Sequence, residues 1–159
     1  MKKWLLMALA LCLVFLAACG QSGAGKSDES YMPAKPDAEN TTFDWGVTMT
    51  VKDFGATGCT LEITQSGGSP TGEVTCGCDY WLEQQVDDLW TALAMPEDVC
   101  WTAEAYMLSE CDFTDQLNWK SLYGTLPSGT YRVGKSIMDW RAPGDLDTQD
   151  HYSQPFVIE

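Results

Sequence analysis

The sequence predicts an all-β sandwich of about seven strands, set behind a leader and a tether. Three observations carry this. Short runs alternate apolar and polar residues with period two, the mark of a strand with one buried face. Stretches rich in Gly, Pro, Ser and Asp fall between those runs as turns. Thr, Val, Trp, Tyr and Gly are frequent and helix formers do not dominate the 159 residues.

Residues 1–18 read as a signal peptide and stay outside the fold argument. Met1-Lys2-Lys3 is a positive start, and 4–15 is an uncharged apolar run, shorter than the ~20 residues of a membrane span. Leu16-Ala17-Ala18-Cys19 resembles a lipobox, the cleavage and acylation site of bacterial lipoproteins. The resemblance implies a diacylglyceryl thioether on Cys19, which becomes the mature N-terminus. An uncleaved anchor is the competing reading. Residues 19–42 then form a tether of Gly, Ser, Pro, Asp, Glu and Lys that buries too little to order itself. Its reach is roughly 25 Å.

The domain, 43–159, opens with a strand in which Val47, Met49 and Val51 alternate with Thr48, Thr50 and Lys52. A turn at 55–58 leads to a second strand with Cys59, Leu61 and Ile63 on one face. After the loop at 66–72, one long third strand puts Val74, Cys76, Cys78, Tyr80 and Leu82 on one side, and Thr75, Asp79, Trp81 and Glu83 on the other. Residues 84–88 read as a turn and 89–95 as an edge segment. Val99, Trp101, Ala103, Ala105 and Met107 alternate as a further strand, with Phe113, Leu117 and Trp119 in its partner. A helical turn over 115–123 competes for that partner. Strands at 130–137 and 152–158 close the set, Pro155 suiting an edge. Residues 139–150 lack alternation and read as the longest late loop. Trp45, Trp101 and Trp119 are expected in the core.

Pro127-Ser128-Gly129-Thr130-Tyr131-Arg132 resembles the tyrosine corner of immunoglobulin-like sandwiches, with Gly129 and Tyr131 as its defining residues. Val133 stands where the second cysteine of antibody domains would be. The stretches 64–73, 80–83, 122–124 and 141–145 are likewise similar to bacterial Ig-like domains of secreted and lipid-anchored Gram-positive proteins. The resemblance covers about 45–159 and implies a fold and an extracytoplasmic, non-enzymatic module. It implies no catalytic residues and no role for the cysteines.

The net charge of −14 becomes −16 once Lys2 and Lys3 leave with the leader, seven bases facing 23 acids. Nucleic acid and anionic lipid head groups are therefore poor partners. Membrane attachment falls to the lipid on Cys19, and the domain's own partner is an unidentified envelope protein or polysaccharide.

Five domain cysteines, Cys59, Cys76, Cys78, Cys100 and Cys111, are an odd number, so one is free or paired between chains. Exported location favours disulfides. An up-and-down reading brings Cys76 or Cys78 to Cys111 and Cys59 to Cys100. The alternative is a thiol-based metal or redox lipoprotein using Cys76-Gly77-Cys78. With one histidine in the chain, a four-ligand zinc site is poorly supplied. Asp145, Asp147 and Asp150 are a weak calcium candidate without the EF-hand glycine and glutamate. His151 is expected as an exposed loop residue, and no serine occupies a G-x-S-x-G elbow. A small cell-wall hydrolase is the weakest class. The expected contact residues are Trp81, on the polar parity of its strand, and Trp140 and Arg141 in the late loop. No cofactor is expected.

Overall fold

The computed structural model describes residues 43–108 and 112–159. The leader, Cys19, the tether to residue 42 and Cys111 lie outside the described residues. The domain is all-β, with two antiparallel sheets and a single four-residue helix among the described residues.

The smaller sheet begins with a hairpin of β1 (Val47–Gly55) and β2 (Gly58–Gln65). Val51 pairs with Leu61 and Met49 with Ile63, so the apolar parity of both strands faces the core. The other edge of β2 pairs with β7 (Phe113–Asn118), where Cys59 faces Leu117 and Ile63 faces Phe113.

The larger sheet is built on β8 (Gly129–Ala142), the longest strand at 14 residues. Its partners are β3 (Glu73–Cys76), β4 (Trp81–Val86), β9 (Asp145–Tyr152) and β10 (Phe156–Ile158). Tyr131 pairs with both Gln84 and Phe156, Gly134 with both Trp81 and Tyr152, and Ile137 with both Cys76 and Gln149. A strand has two edges, so β3 and β4 share one edge of β8 while β9 and β10 share the other. Outside them, β5 (Leu89–Ala92) pairs with β4 and β6 (Tyr106–Met107) with β3.

The expected third strand is therefore two. Five positions separate Cys76 from Trp81, but three separate their partners Ile137 and Gly134, so two extra residues bulge out at 77–80. The Lys135 ammonium, fully buried on the inward face of β8, donates to the Asp79 carbonyl at 2.9 Å and ties this bulge down. Cys78 is thereby lifted off the parity it would share with Cys76.

Trp45, Leu61, Ile63, Val74, Leu82, Trp119, Tyr131, Val133 and Ile137 fill the space between the sheets. The Tyr131 hydroxyl donates to the Pro127 carbonyl at 2.9 Å, fixing the entry to β8 under its own loop.

Four expectations need correction. Residues 99–105 form no strand, and only Tyr106–Met107 pairs with β3. Two of the five alternating residues there are alanines, which bury too little to hold a strand on a sheet. Trp101 is 38 % exposed, not in the core. Residues 139–150 are not a loop but the β8–β9 hairpin, turning at Pro143-Gly144 with Gly144 at φ +81°, as a type II turn requires. The stretch 152–158 divides between the end of β9 and β10, with Pro155 in the break. Smaller adjustments follow the same logic. β4 runs on to Val86, and the turn is Asp87-Asp88, both at positive φ as a type I′ hairpin needs. Strand and helix both occur after residue 112, because β7 is followed by α1 (Lys120–Tyr123). Among the described residues there are ten strands in place of about seven.

Candidate binding face

Period-two geometry assigns alternate residues of the larger sheet to its outer surface. On β8 these are Arg132, Gly134, Ser136, Met138 and Trp140, because Tyr131, Val133, Lys135, Ile137 and Asp139 are buried on the inner side. Register then fixes their neighbours. Gly134 lies between Trp81 and Tyr152, Arg132 opposite Glu83, and Trp140 opposite Leu146. Trp90 comes from β5, opposite Gln85 on the same parity.

These residues make a continuous chain. The Arg132 guanidinium sits 4.3 Å from the Trp90 ring centre and 3.8 Å from that of Tyr152. Its Nε donates to Glu83 Oε2 at 2.7 Å. Tyr152 meets Trp81 edge-on, centroids 5.9 Å apart. Trp81 lies down across Gly134, where any Cβ would overlap the indole. The absent side chain at 134 thus lets a half-buried tryptophan lie flat on the sheet. Tyr152 is 38 % and Trp140 39 % exposed. Trp140 sits six residues along β8 from Gly134, or about 20 Å. The face is aromatic at one end, aromatic and aliphatic at the other, with Ser136, Asp150, Thr148 and Met138 between.

Of the expected contact residues, Trp81 and Trp140 share this face and Arg141 does not. Arg141 points the other way. It donates to Asp145 Oδ1 from Nε at 2.9 Å and Nη2 at 2.8 Å, and from Nη1 to Asp147 Oδ2 at 2.9 Å and Thr71 Oγ1 at 2.8 Å. Hydrogen bonds to Asp145 and Asp147 hold its charge even more firmly than usual. Asp145 and Asp147 are thereby partners of a cation. Asp150, on the outer parity, accepts from Ser136 Oγ at 3.3 Å. The three acids do not converge, and among the described residues no group of three or more His, Cys, Asp or Glu is arranged to hold a metal.

Behind Arg141, Asp139 is almost fully buried. Burial alone would raise its pKa. Hydrogen bonds from Thr71 N at 2.7 Å, Thr71 Oγ1 at 2.8 Å and Gly72 N at 2.6 Å, with the Arg141 charge, overcome this and hold it below the usual carboxylate range.

A recess of about 360 Å³ is lined by Phe43, Asp44, Trp45, Gly46, Val47, Gln149 and His151. His151 is half-buried in β9, not on an exposed loop. Its ring stacks 6.2 Å from that of Trp45, and its buried Nε2 has no hydrogen-bond partner among the described residues. Burial lowers its pKa, against a smaller upward pull from Asp150. Among the described residues no nucleophile is hydrogen-bonded to that nitrogen for it to activate.

Among the described residues Cys59, Cys76, Cys78 and Cys100 are free thiols. The expected Cys59–Cys100 bridge is not formed: Cys59 is in the core and Cys100 on the surface. Sequence reasoning missed Trp90, Arg132 and Tyr152. Their own strands gave a parity, but only the pairing across β8 places the three together.

Among the described residues no helix is long and apolar enough to cross a membrane. No curated protein and no solved structure matches the chain. One family model does match, over residues 44–156, and its description is Bacterial Ig-like domain. With two β-sheets, a tyrosine-corner hydrogen bond and that match over most of its length, the chain belongs to the bacterial Ig-like domain family.

Proposed function

We propose that this chain is a lipid-anchored, extracytoplasmic Ig-like module of a Gram-positive envelope. It is non-enzymatic and binds or spaces an envelope component. Residues 1–18 are its signal peptide, Cys19 its lipidated N-terminus, residues 19–42 its tether and 43–159 its working domain. The family supports an extracellular module without catalysis, and Leu16-Ala17-Ala18-Cys19 supports the anchor. Two acyl chains hold a membrane stably where one does so only marginally.

The observation that carries the binding role is the aromatic chain Trp90–Arg132–Tyr152–Trp81 on the outer sheet. Large rigid rings supply contact area at low entropic cost, and such residues dominate binding energy. Glu83 satisfies the Arg132 charge, so the face offers ring surface more than net charge. This suits an envelope polysaccharide or protein better than a polyanion.

The anchor is tested by Cys19→Ser in the full chain. The variant should appear in the medium or persist as a precursor. Wild-type membrane fractionation and migration would refute the lipid.

A further inference from the structure

The described cysteines fall into two classes. Cys59 and Cys76 are buried in the core. Burial, with a smaller push from Asp115, raises the Cys59 thiol to about 12. Burial likewise raises Cys76 to about 11, partly offset by Lys135. The thiolate is the reacting form, so both are inert. Cys78, on the two-residue bulge, is half-buried, and Cys100 is exposed.

Residues 93–105 belong to no strand, yet they lie against that bulge. Cys78 Sγ is 3.1 Å from both the carbonyl oxygen and Oγ1 of Thr102. The Trp101 ring lies 5.3 Å from that of Tyr80. Two residues of chain span at most about 7 Å, which bounds the distance from Cys100 Cα to Thr102 Cα. A disulfide needs Cα atoms roughly 4.4–6.8 Å apart. The exposed Cys100 is thus two residues from the point where Cys78 touches a segment in no strand, and closing the bond requires that segment to move until the Cys78 and Cys100 Cα atoms reach this separation.

We infer that Cys78 and Cys100 are the site of a disulfide that ties the 93–105 segment to the β3–β4 bulge. Its formation in the cell rests on the export proposed above, because such bonds persist in oxidising compartments. One thiolate attacks the disulfide of an exported dithiol oxidant to give a mixed disulfide, and the other displaces it. The pair loses two protons and two electrons, and the oxidant leaves as its dithiol. This pairing replaces Cys59–Cys100 and draws Cys78 away from Cys111.

The full chain is equilibrated in glutathione buffers of graded oxidation, its free thiols are alkylated, and it is cut after glutamate. Cleavage at Glu73, Glu83, Glu97 and Glu104 places Cys100 in peptide 98–104 and Cys78 in peptide 74–83; Glu62 and Glu110 separate Cys59 and Cys111 from both. The expected product is a 74–83/98–104 conjugate whose fragments locate the link at Cys78, lost in Cys78→Ser and Cys100→Ser. Full alkylation of both thiols under every buffer, a link at Cys76, or Cys100 joined to Cys59 or Cys111 overturns the pairing. The same map of acid-trapped cells separates the two premises. A bond that forms in glutathione but is absent from cells upholds the pairing and refutes its formation in the cell.

Discussion

Asp139 is the charged residue on which the end of the sandwich depends. Its carboxylate accepts two backbone N–H groups, Thr71 and Gly72, from the loop before β3. Asp139→Ala removes these charge-assisted hydrogen bonds from a buried carboxylate, at about 1.5–3 kcal/mol, so we expect a melting temperature lower by about 5–15 °C. Its depressed pKa sets a sign. The stabilisation is present above the unfolded carboxylate range and is lost as pH falls through the lower, folded-state value. His151 acts in a separate window. Its folded pKa is also depressed, so below about 6.5 the unfolded chain binds the proton first. Stability is whole above that pH and falls as pH drops toward the folded-state value. Because the chain has one histidine, melting curves at pH 7.5 and 5 in wild type and His151→Gln isolate the effect. Wild type should lose more on acidification; equal losses would show that His151 is not held neutral.

At the scale of elements, β8 decides the architecture, since both its edges carry partner strands and its two faces do different work. Gly134 shows how. Gly134→Ala must push Trp81 off the sheet, and overpacking of this kind costs about 1–3 kcal/mol. We expect a lower melting temperature and a change in tryptophan fluorescence; an unchanged spectrum would mean that Trp81 does not lie there. The same strand explains what the sequence revealed. β1, β2 and the first half of β8 were legible because their inward parity is apolar. The hairpin to β9 was not, because that strand's inward parity is Asp147, Gln149 and His151, and β8 itself buries Lys135 and Asp139. Hydrophobic period cannot register a polar face that is satisfied by Arg141, Thr71 and the bulge carbonyl. The reverse error occurred at 99–105, where alternation without bulk mimicked a strand. The contact face was half legible: parity marked Trp81, while Trp90, Arg132 and Tyr152 needed the register of three separate pairings.

For the whole molecule, the proposed role has an acidic Ig-like domain meet an envelope component with the outer face of its larger sheet. Polyanions are disfavoured by a chain whose acids outnumber its bases 23 to 9. The most direct test is co-sedimentation of the full chain, detergent-solubilised, with isolated cell-wall polysaccharide and, separately, cross-linking in intact cells. Trp81→Ala and Tyr152→Ala are compared with Lys52→Ala, on the far sheet, after melting curves show that all three fold. The account predicts that wild type and Lys52→Ala are captured alike in at least one arm, while each aromatic variant loses about tenfold or more, a hot-spot loss of ~1.4 kcal/mol. Capture that is equal in all four proteins, or wild type captured in neither arm, would contradict a binding role for the outer sheet.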